Sequence, residues 1–480
     1  MDSANATKIT AKRPLHNRPH IVLIIPRGEA VRNFLYSDTL PALSQQARVT
    51  ILSVLTDDKF MARFQPYVEE IIPLPHYPDP RGVAYLRKLL HEAHFRWLWS
   101  EVAQNRWETK EAAAKTLSAK VLWALEKASL WPFANRPILE LMTEVERYAS
   151  YAFRQTNTFN ELFARIQPDL VFNGSHIHGP AGRLPIAVAH KMGIPTAGFI
   201  FSWDNLTSRS RIFEPYDYYL VWHEQMCQQL LSIYSRLDPQ NVFVTGSPQF
   251  DFHFKPEYLL SREELCHHLG LDPSRPYIFY TAGIDKHFPE EHRHIQFIID
   301  FLQRADFTPK PQLVVRTYVK GVSPEMASLA SHNIPDVVFP PVLWDDKWFI
   351  PMFEDLSIYT SCLHHAAMGI NPASTVSLEL MMLGKPVVNI GFDPPGSQLE
   401  HPYRWIRHIE FDHYQRVANS GGAMVAYSTA DLQNMITKGL QQPQADQAAR
   451  QAFIDQTFGG LLDGQSGQRI ANCLLNLACE

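Results

Sequence analysis

Gly369 to Pro394 reads GINPASTVSLELMMLGKPVVNIGFDP, and the fold turns on how this stretch is parsed. A polar loop opens onto a short apolar helix, a Gly-Lys-Pro turn closes it, and VVNIGF follows as a strand. Asn371, Pro372, Ser374 and Thr375 are helix-starting residue types, whereas Gly384 and Pro386 are helix-stopping ones. The β-branched content of VVNIGF suits a strand buried inside a parallel sheet. A helix start with free N–H groups and small hydroxyl side chains is a ready anion site. Glu379 lies four residues after Thr375 and shares its helix face. A carboxylate in so apolar a helix needs a partner, which the hydroxyl pair of a ribose would supply. The same residues also describe a capped, buried helix with one Glu at its polar edge.

Outward from this stretch the pattern repeats. PYIFYTAG (276–283), PQLVVRTYV (311–319) and DVVFPPV (336–342) read as strands, with helices at HRHIQFIIDFLQRA and within FEDLSIYTSC. Nearer the start, HIVLIIP (20–26), ARVTILSVL (47–55), VEEIIPLP (68–75), PDLVFNGS (168–175), TAGFIFSWDNLTSR (196–209), DYYLVWHE (217–224) and VFVTGSP (242–248) form a second strand series, with a helix through Arg32 to Leu40 after the first strand. Strand–helix–strand order implies parallel, doubly wound sheets. The chain is therefore expected to be α/β with two facing Rossmann-like halves. The expected boundaries are a disordered lead-in over 1–18, an N-terminal domain over 19–250, a C-terminal domain over 251–455, and a terminal helix over 456–480 packing back on the N-terminal domain.

Residues 81–153 interrupt the alternation with helical patterns in which Trp97, Trp99, Trp107, Trp123 and Trp131 interleave with Arg and Lys. They read as an inserted helical pair packing on the sheet. A sharper reading is a surface that meets a membrane or a lipid-linked acceptor, because basic amphipathic helices with Trp suit the interface.

At 480 residues, 45% hydrophobic and 19% charged, the chain can bury two or three cores. A net charge of -5 gives no case for nucleic acid. Cysteines 227, 266, 362, 473 and 479 form no CxxC or zinc spacing and read as reduced thiols of a cytoplasmic protein, with a peripheral place on the inner membrane face as the extension. There is no signal peptide pattern and no uninterrupted apolar run long enough to span a bilayer.

Walker, GxGxxG, GxSxG and HExxH motifs are absent, and the adjacent pairs Asp57-Asp58 and Asp345-Asp346 sit in charged turns. No divalent metal and no cofactor are expected. Ligands of doubly wound sheets sit at carboxyl strand ends. In the second half these ends carry Thr281, Gly283, Arg316, Tyr318, Ser374, Thr375 and Glu379. Arg316 ends an apolar run; a diphosphate is its natural partner, and a salt bridge to Asp or Glu is the alternative. Gly283 would let backbone N–H groups approach a ligand. In the first half the strand ends carry Arg27, Gly28, Glu29, His176, His178, Trp203, Asp204 and Asn205. Glu29, His176 and Asp204 are the candidates to deprotonate a hydroxyl, with Arg27, Gly28, His178, Trp203 and Asn205 around an acceptor.

The ordered segments GSPQFD, RPYIFYTAG, VVRTYVKG and NPASTVSLELMMLGKPVVNI resemble GT-B glycosyltransferases. They are most similar to bacterial surface-polysaccharide transferases and the related UDP-N-acetylglucosamine 2-epimerase-like proteins, and FSWDNLTS resembles a segment of surface carbohydrate biosynthesis proteins. The resemblance covers roughly residues 160–395, and the N-terminal half by pattern only. It implies a GT-B fold and a nucleotide diphosphate sugar as donor substrate. Ser374 and Thr375 would then take the phosphates and Glu379 the ribose, with Arg316 and Gly283 also at the donor. The 2-epimerases carry a glycine pair after the serine where this chain has Thr375-Val376, and the minimal fold lacks the insert; both differences favour a transferase. A nucleotide-sugar epimerase or hydrolase and a non-catalytic binding scaffold are the alternatives. Base, sugar and acceptor are not written in the sequence.

Overall fold

The computed structural model describes residues 18–479 apart from Ser210, Lys320, Asp346 and Trp348. The lead-in expected over 1–18 lies, Arg18 aside, outside the described residues, as does Asp346 of one acidic pair. Two parallel sheets organise the rest. The first comprises β1 (His20–Ile25), β2 (Arg48–Ser53), β3 (Glu70–Pro73), β4 (Leu170–Asn173), β5 (Thr196–Phe199), β6 (Tyr218–Val221) and β7 (Val242–Val244), in the order β3-β2-β1-β4-β5-β6-β7. The second comprises β8 (Tyr277–Thr281), β9 (Gln312–Arg316), β10 (Val337–Val338), then, beyond a small antiparallel pair β11 (Trp344–Asp345) and β12 (Ile350–Pro351), β13 (Met368–Asn371), β14 (Val387–Ile390) and β15 (Met424–Ala426). Its order is β10-β9-β8-β13-β14-β15. The β1 residues Ile21 to Ile25 are wholly buried, and such side chains contribute about 1.5–3 kcal/mol each.

Both sheets reverse direction of growth once, between β1 and β4 and between β8 and β13. Crevices open at such switch points. Glu29 follows β1 and His178 follows β4, while Thr281 ends β8 and Ser374 follows β13. The topology thus carries candidate residues from both halves to switch points.

Several local expectations change. Gly369–Asn371, read as loop, complete β13, because Gly369 pairs in register with Val387 and Asn371 with Asn389. After β1 the chain makes a one-turn helix, Gly28–Ala30, then a π-helix over Val31–Tyr36, and only then the helix Thr39–Gln46. DVVFPPV shrinks to the two residues of β10, since its prolines cannot extend a ladder.

The insert is four helices rather than a pair: Arg81–Leu98, Glu101–Ala113, Leu117–Leu130 and Arg136–Ala152. Arg87 ties it down, with Nε 2.8 Å from Glu146 Oε1 and Nη1 2.7 Å from Asp79 Oδ2. Of its tryptophans Trp123 is buried, Trp97 and Trp107 are half-buried, and Trp99 and Trp131 are exposed. Trp107 packs edge-on against Trp99 and Trp123, Lys110 and Lys127 lie over Trp123, and Arg136 lies over Trp97. The interleaved bases therefore make cation–π contacts within the insert. Glu101 N donates to Asp412 Oδ2 at 2.7 Å, so the insert also bridges to the second half.

At the end of the chain the helix Ser466–Leu477 lies against Thr39–Gln46, with Thr39 Oγ1 donating to Gly467 O at 3.3 Å. Asp251 accepts the amides of Ser466 and Gly467 at 3.1 and 2.8 Å. Among the described residues no helix is long and apolar enough to cross a membrane.

Candidate active site

A cleft of about 450 Å³ lies between the carboxyl ends of the two sheets. Glu29, His178, Trp203, Asp204 and Asn205 line it from the first half, and Gly283, Arg316, Ser374, Thr375 and Glu379 from the second. Arg27, Gly28 and His176 do not line it. Arg27 pairs with Glu29, Nε to Oε2 2.8 Å, and its guanidinium stacks over Phe349. Gly28 is buried at the start of its one-turn helix. His176 sits in the core with Nδ1 3.2 Å from Phe199 O and 3.3 Å from Phe201 N. Burial lowers its pKa to about 4, which makes it a weak base, and it stands behind the cleft lining.

Asp204 accepts from Ser202 Oγ and Ser208 Oγ, each at 2.5 Å. Burial alone would raise its pKa, but His413 and the two hydroxyls hold it below the usual carboxylate range. An anion so well stabilised is a weak base.

The stretch around Ser374 is fixed from behind by a buried polar network. Asn389 Nδ2 donates to Asn371 Oδ1 at 3.1 Å and to Ser377 Oγ at 2.8 Å, and Ser377 Oγ lies 2.8 Å from Tyr414 Oη. The asparagines sit opposite each other in register on adjacent strands β13 and β14, which explains two polar residues inside an apolar sheet. The helix they support, Val376–Met382, starts differently from its reading. The amides of Val376, Ser377 and Leu378 are already bonded to Ser374 Oγ, Ser374 O and Thr375 O at 3.4, 3.1 and 2.9 Å. Its start is therefore a poorer anion seat than free N–H groups would be. Thr375 Oγ1 accepts from Trp203 Nε1 at 3.0 Å, a hydrogen bond across the cleft.

Glu379 has protein partners. Tyr359 Oη donates to Oε2, and His253 Nε2 lies 3.5 Å from Oε1. A carboxylate has about four lone-pair sites, so capacity for two ligand hydroxyls remains. Arg316 forms the salt bridge that was its alternative reading: Nη2 is 2.6 Å from Asp355 Oδ2, with the guanidinium over the Tyr359 ring. Asp355 also accepts Leu343 N and Trp344 Nε1, so the pair anchors the start of β11 while Arg316 still forms cleft wall. Gly283 donates its N–H to Glu291, 3.1 Å from both oxygens, and a Cβ would meet Phe288 at 2.2 Å. Its smallness serves packing, and its amide is occupied. Thr281 Oγ1 is buried at the cleft with no hydrogen-bond partner among the described residues.

The sequence matches no protein-family model and no curated protein. The three-dimensional arrangement does have counterparts. The UDP-GlcNAc 2-epimerase from Neisseria meningitidis, solved bound to UDP-GlcNAc, is 12% identical with a TM-score of 0.53, covering 95% of this chain and 100% of its own. The UDP-GlcNAc 2-epimerase from Methanocaldococcus jannaschii is 11% identical with a TM-score of 0.53, covering 95% of this chain and 99% of its own.

The fold is GT-B.

Within this GT-B frame the cleft also holds residues that the sequence did not single out. Arg32 lines it from the π-helix, donating from Nη2 to Gln249 Oε1 at 3.0 Å and from Nε to Asn33 Oδ1 at 3.1 Å. Burial lowers its pKa, and Glu379, Tyr359, Glu29 and Tyr318 counter that shift. Its signal was a lone arginine in the apolar run after β1. The π-helix sets its angular position, and such bulges recur at functional sites. His413 and Tyr414, from the helix Asp412–Ala418, close the second wall beside Trp203.

Proposed function

We propose that this chain is a glycosyltransferase that moves a sugar from a nucleotide diphosphate sugar to an acceptor hydroxyl, without a metal ion, in surface polysaccharide or glycolipid synthesis. One observation carries the reading: one cleft has Glu29, Arg32 and Asp204 on one wall and Arg316, Ser374, Thr375 and Glu379 on the other. The donor lies on the second half, with its ribose hydroxyls on Glu379 and its diphosphate between Arg32 and Arg316. Glu29 takes the proton of the acceptor hydroxyl. The acceptor oxygen bonds to the anomeric carbon as the bond to the diphosphate oxygen breaks, and the nucleoside diphosphate leaves with the electron pair. The guanidinium groups stabilise that developing charge. A single displacement of this kind inverts the anomeric centre.

A second reading, conversion of a nucleotide sugar with no acceptor, draws support from the epimerase counterparts. Nucleotide release separates the two. With the correct sugar donor, nucleoside diphosphate should appear at least tenfold faster with acceptor present and continue in chelator. Turnover of the sugar nucleotide without acceptor would favour the second reading, and loss of activity in chelator would remove the metal-free mechanism.

A further inference from the structure

Residues 81–153 hold eleven of the nineteen large hydrophobic side chains exposed among the described residues. That concentration sets the insert apart from ordinary surface, where such residues are scattered. The helix Leu117–Leu130 is the extreme case. Only Trp123 and Leu130 face inward, whereas Leu117 is 80%, Leu122 67% and Leu125 63% exposed, and Val121 joins them. Trp131, at the end of this helix, is 70% exposed.

Within residues 114–131 the exposed charges are basic, while the exposed Glu111 of the preceding helix lies 3.6 Å from Lys127. Lys115 and Lys120 are exposed, while the one carboxylate of the helix, Glu126, is half-buried and 3.4 Å from Lys110. The whole insert has eleven Lys and Arg against eight Glu and no Asp, although the chain carries a net -5. Leucines outward on a helix, a tryptophan at its end and two exposed lysines, Lys115 and Lys120, match an apolar layer beneath anionic headgroups. The leucines of this face are distinct from the Trp–Arg–Lys stacks, and Trp131 joins the two, with the Arg96 guanidinium 5.5 Å from its ring.

We propose that the face formed by Leu117, Val121, Leu122, Leu125 and Trp131 docks this protein on an anionic lipid bilayer. The docked helix connects to the cleft. The neighbouring helix Glu101–Ala113 starts at Ser100, whose Oγ donates to Thr207 O at 2.9 Å, in the turn that also carries Asn205. Its first amide, at Glu101, bonds Asp412, next to the cleft residue His413. Docking would thus hold the cleft near the bilayer, whatever reaction the cleft performs.

Cosedimentation with vesicles tests this on the full chain. Wild type should bind vesicles of phosphatidylcholine with phosphatidylglycerol, and roughly tenfold more weakly phosphatidylcholine alone. Leu122→Glu with Leu125→Glu should weaken binding to both roughly tenfold or more. Lys115→Glu with Lys120→Glu should remove only the anionic preference. All four side chains are exposed, so melting temperature and nucleotide binding should stay at wild-type values. No wild-type binding to either vesicle, or undiminished binding by the leucine variant, would overturn the proposal. So would a wild-type dimer in light scattering that the leucine variant lacks, because a second copy would then own the face.

Discussion

Glu29→Gln is expected to lower turnover by about 10²–10⁴-fold while nucleotide affinity stays unchanged. Glutamine keeps the size of the side chain but removes the carboxylate that would take the acceptor proton. Glu29 lines the cleft just beyond β1, and its partner Arg27 lies outside the cleft wall, so the donor side is untouched. The two rivals read from the sequence are weaker on physical grounds. His176 is locked between backbone groups of Phe199 and Phe201, and Asp204 is already stabilised as an anion by His413 and two serine hydroxyls. Donor and acceptor kinetics of the variant decide the point; full turnover would move the base elsewhere.

Acid should destabilise the fold steeply. Burial lowers His94 to about 3 and His176, His223 and His294 to about 4. All four are neutral in the fold, whereas in the unfolded chain each takes a proton below pH 6.5. Their contribution to stability is full above pH 6.5 and is lost as pH falls from there towards 4. Each group costs about 1.4 kcal/mol per pH unit across that window, against a total stability of about 5–15 kcal/mol. Two buried carboxyls act in the opposite sense: burial raises Asp251 to about 6 and Glu291 to about 8. They are protonated in the fold where the unfolded chain has released its protons, so their contribution is lost as pH rises through those values. The histidines are more numerous and dominate below pH 6.5. Thermal melts should therefore peak close to pH 6.5, fall sharply by pH 4.5 and decline more gently towards pH 8. A melting temperature flat from pH 4.5 to 6.5 would contradict this accounting.

The opening stretch was legible because its signals are local. Pro372 and Gly384 bracket a helix, and Val387 to Ile390 form a buried strand by composition alone. Strand ends were legible for the same reason, and ten of the thirteen candidate residues line one cleft. What was not legible depends on distant partners. Arg316 meets Asp355, Gly283 gives its amide to Glu291, and Glu379 meets Tyr359 and His253. No spacing rule announces these contacts. Arg32 reaches the cleft through a π-helix that apolar periodicity does not reveal. Which tryptophans of the insert pack inward was not legible, because composition cannot tell which side of a helix faces a neighbour: Trp123 turns inward, Trp131 stays exposed and the leucines lie outside.

In the proposed reading the stretch around Ser374 is a donor wall whose helix start is partly closed and whose charge comes from Arg32 and Arg316. That a nucleoside diphosphate binds there is the central claim. Calorimetric titration of a panel of nucleoside diphosphates and their sugars into wild type and Glu379→Ala tests it most directly. One nucleotide class should bind wild type and lose roughly tenfold or more in affinity to Glu379→Ala, as removal of a charged hydrogen-bond partner requires. Binding of none of the panel, or equal affinity for both proteins, would contradict the account.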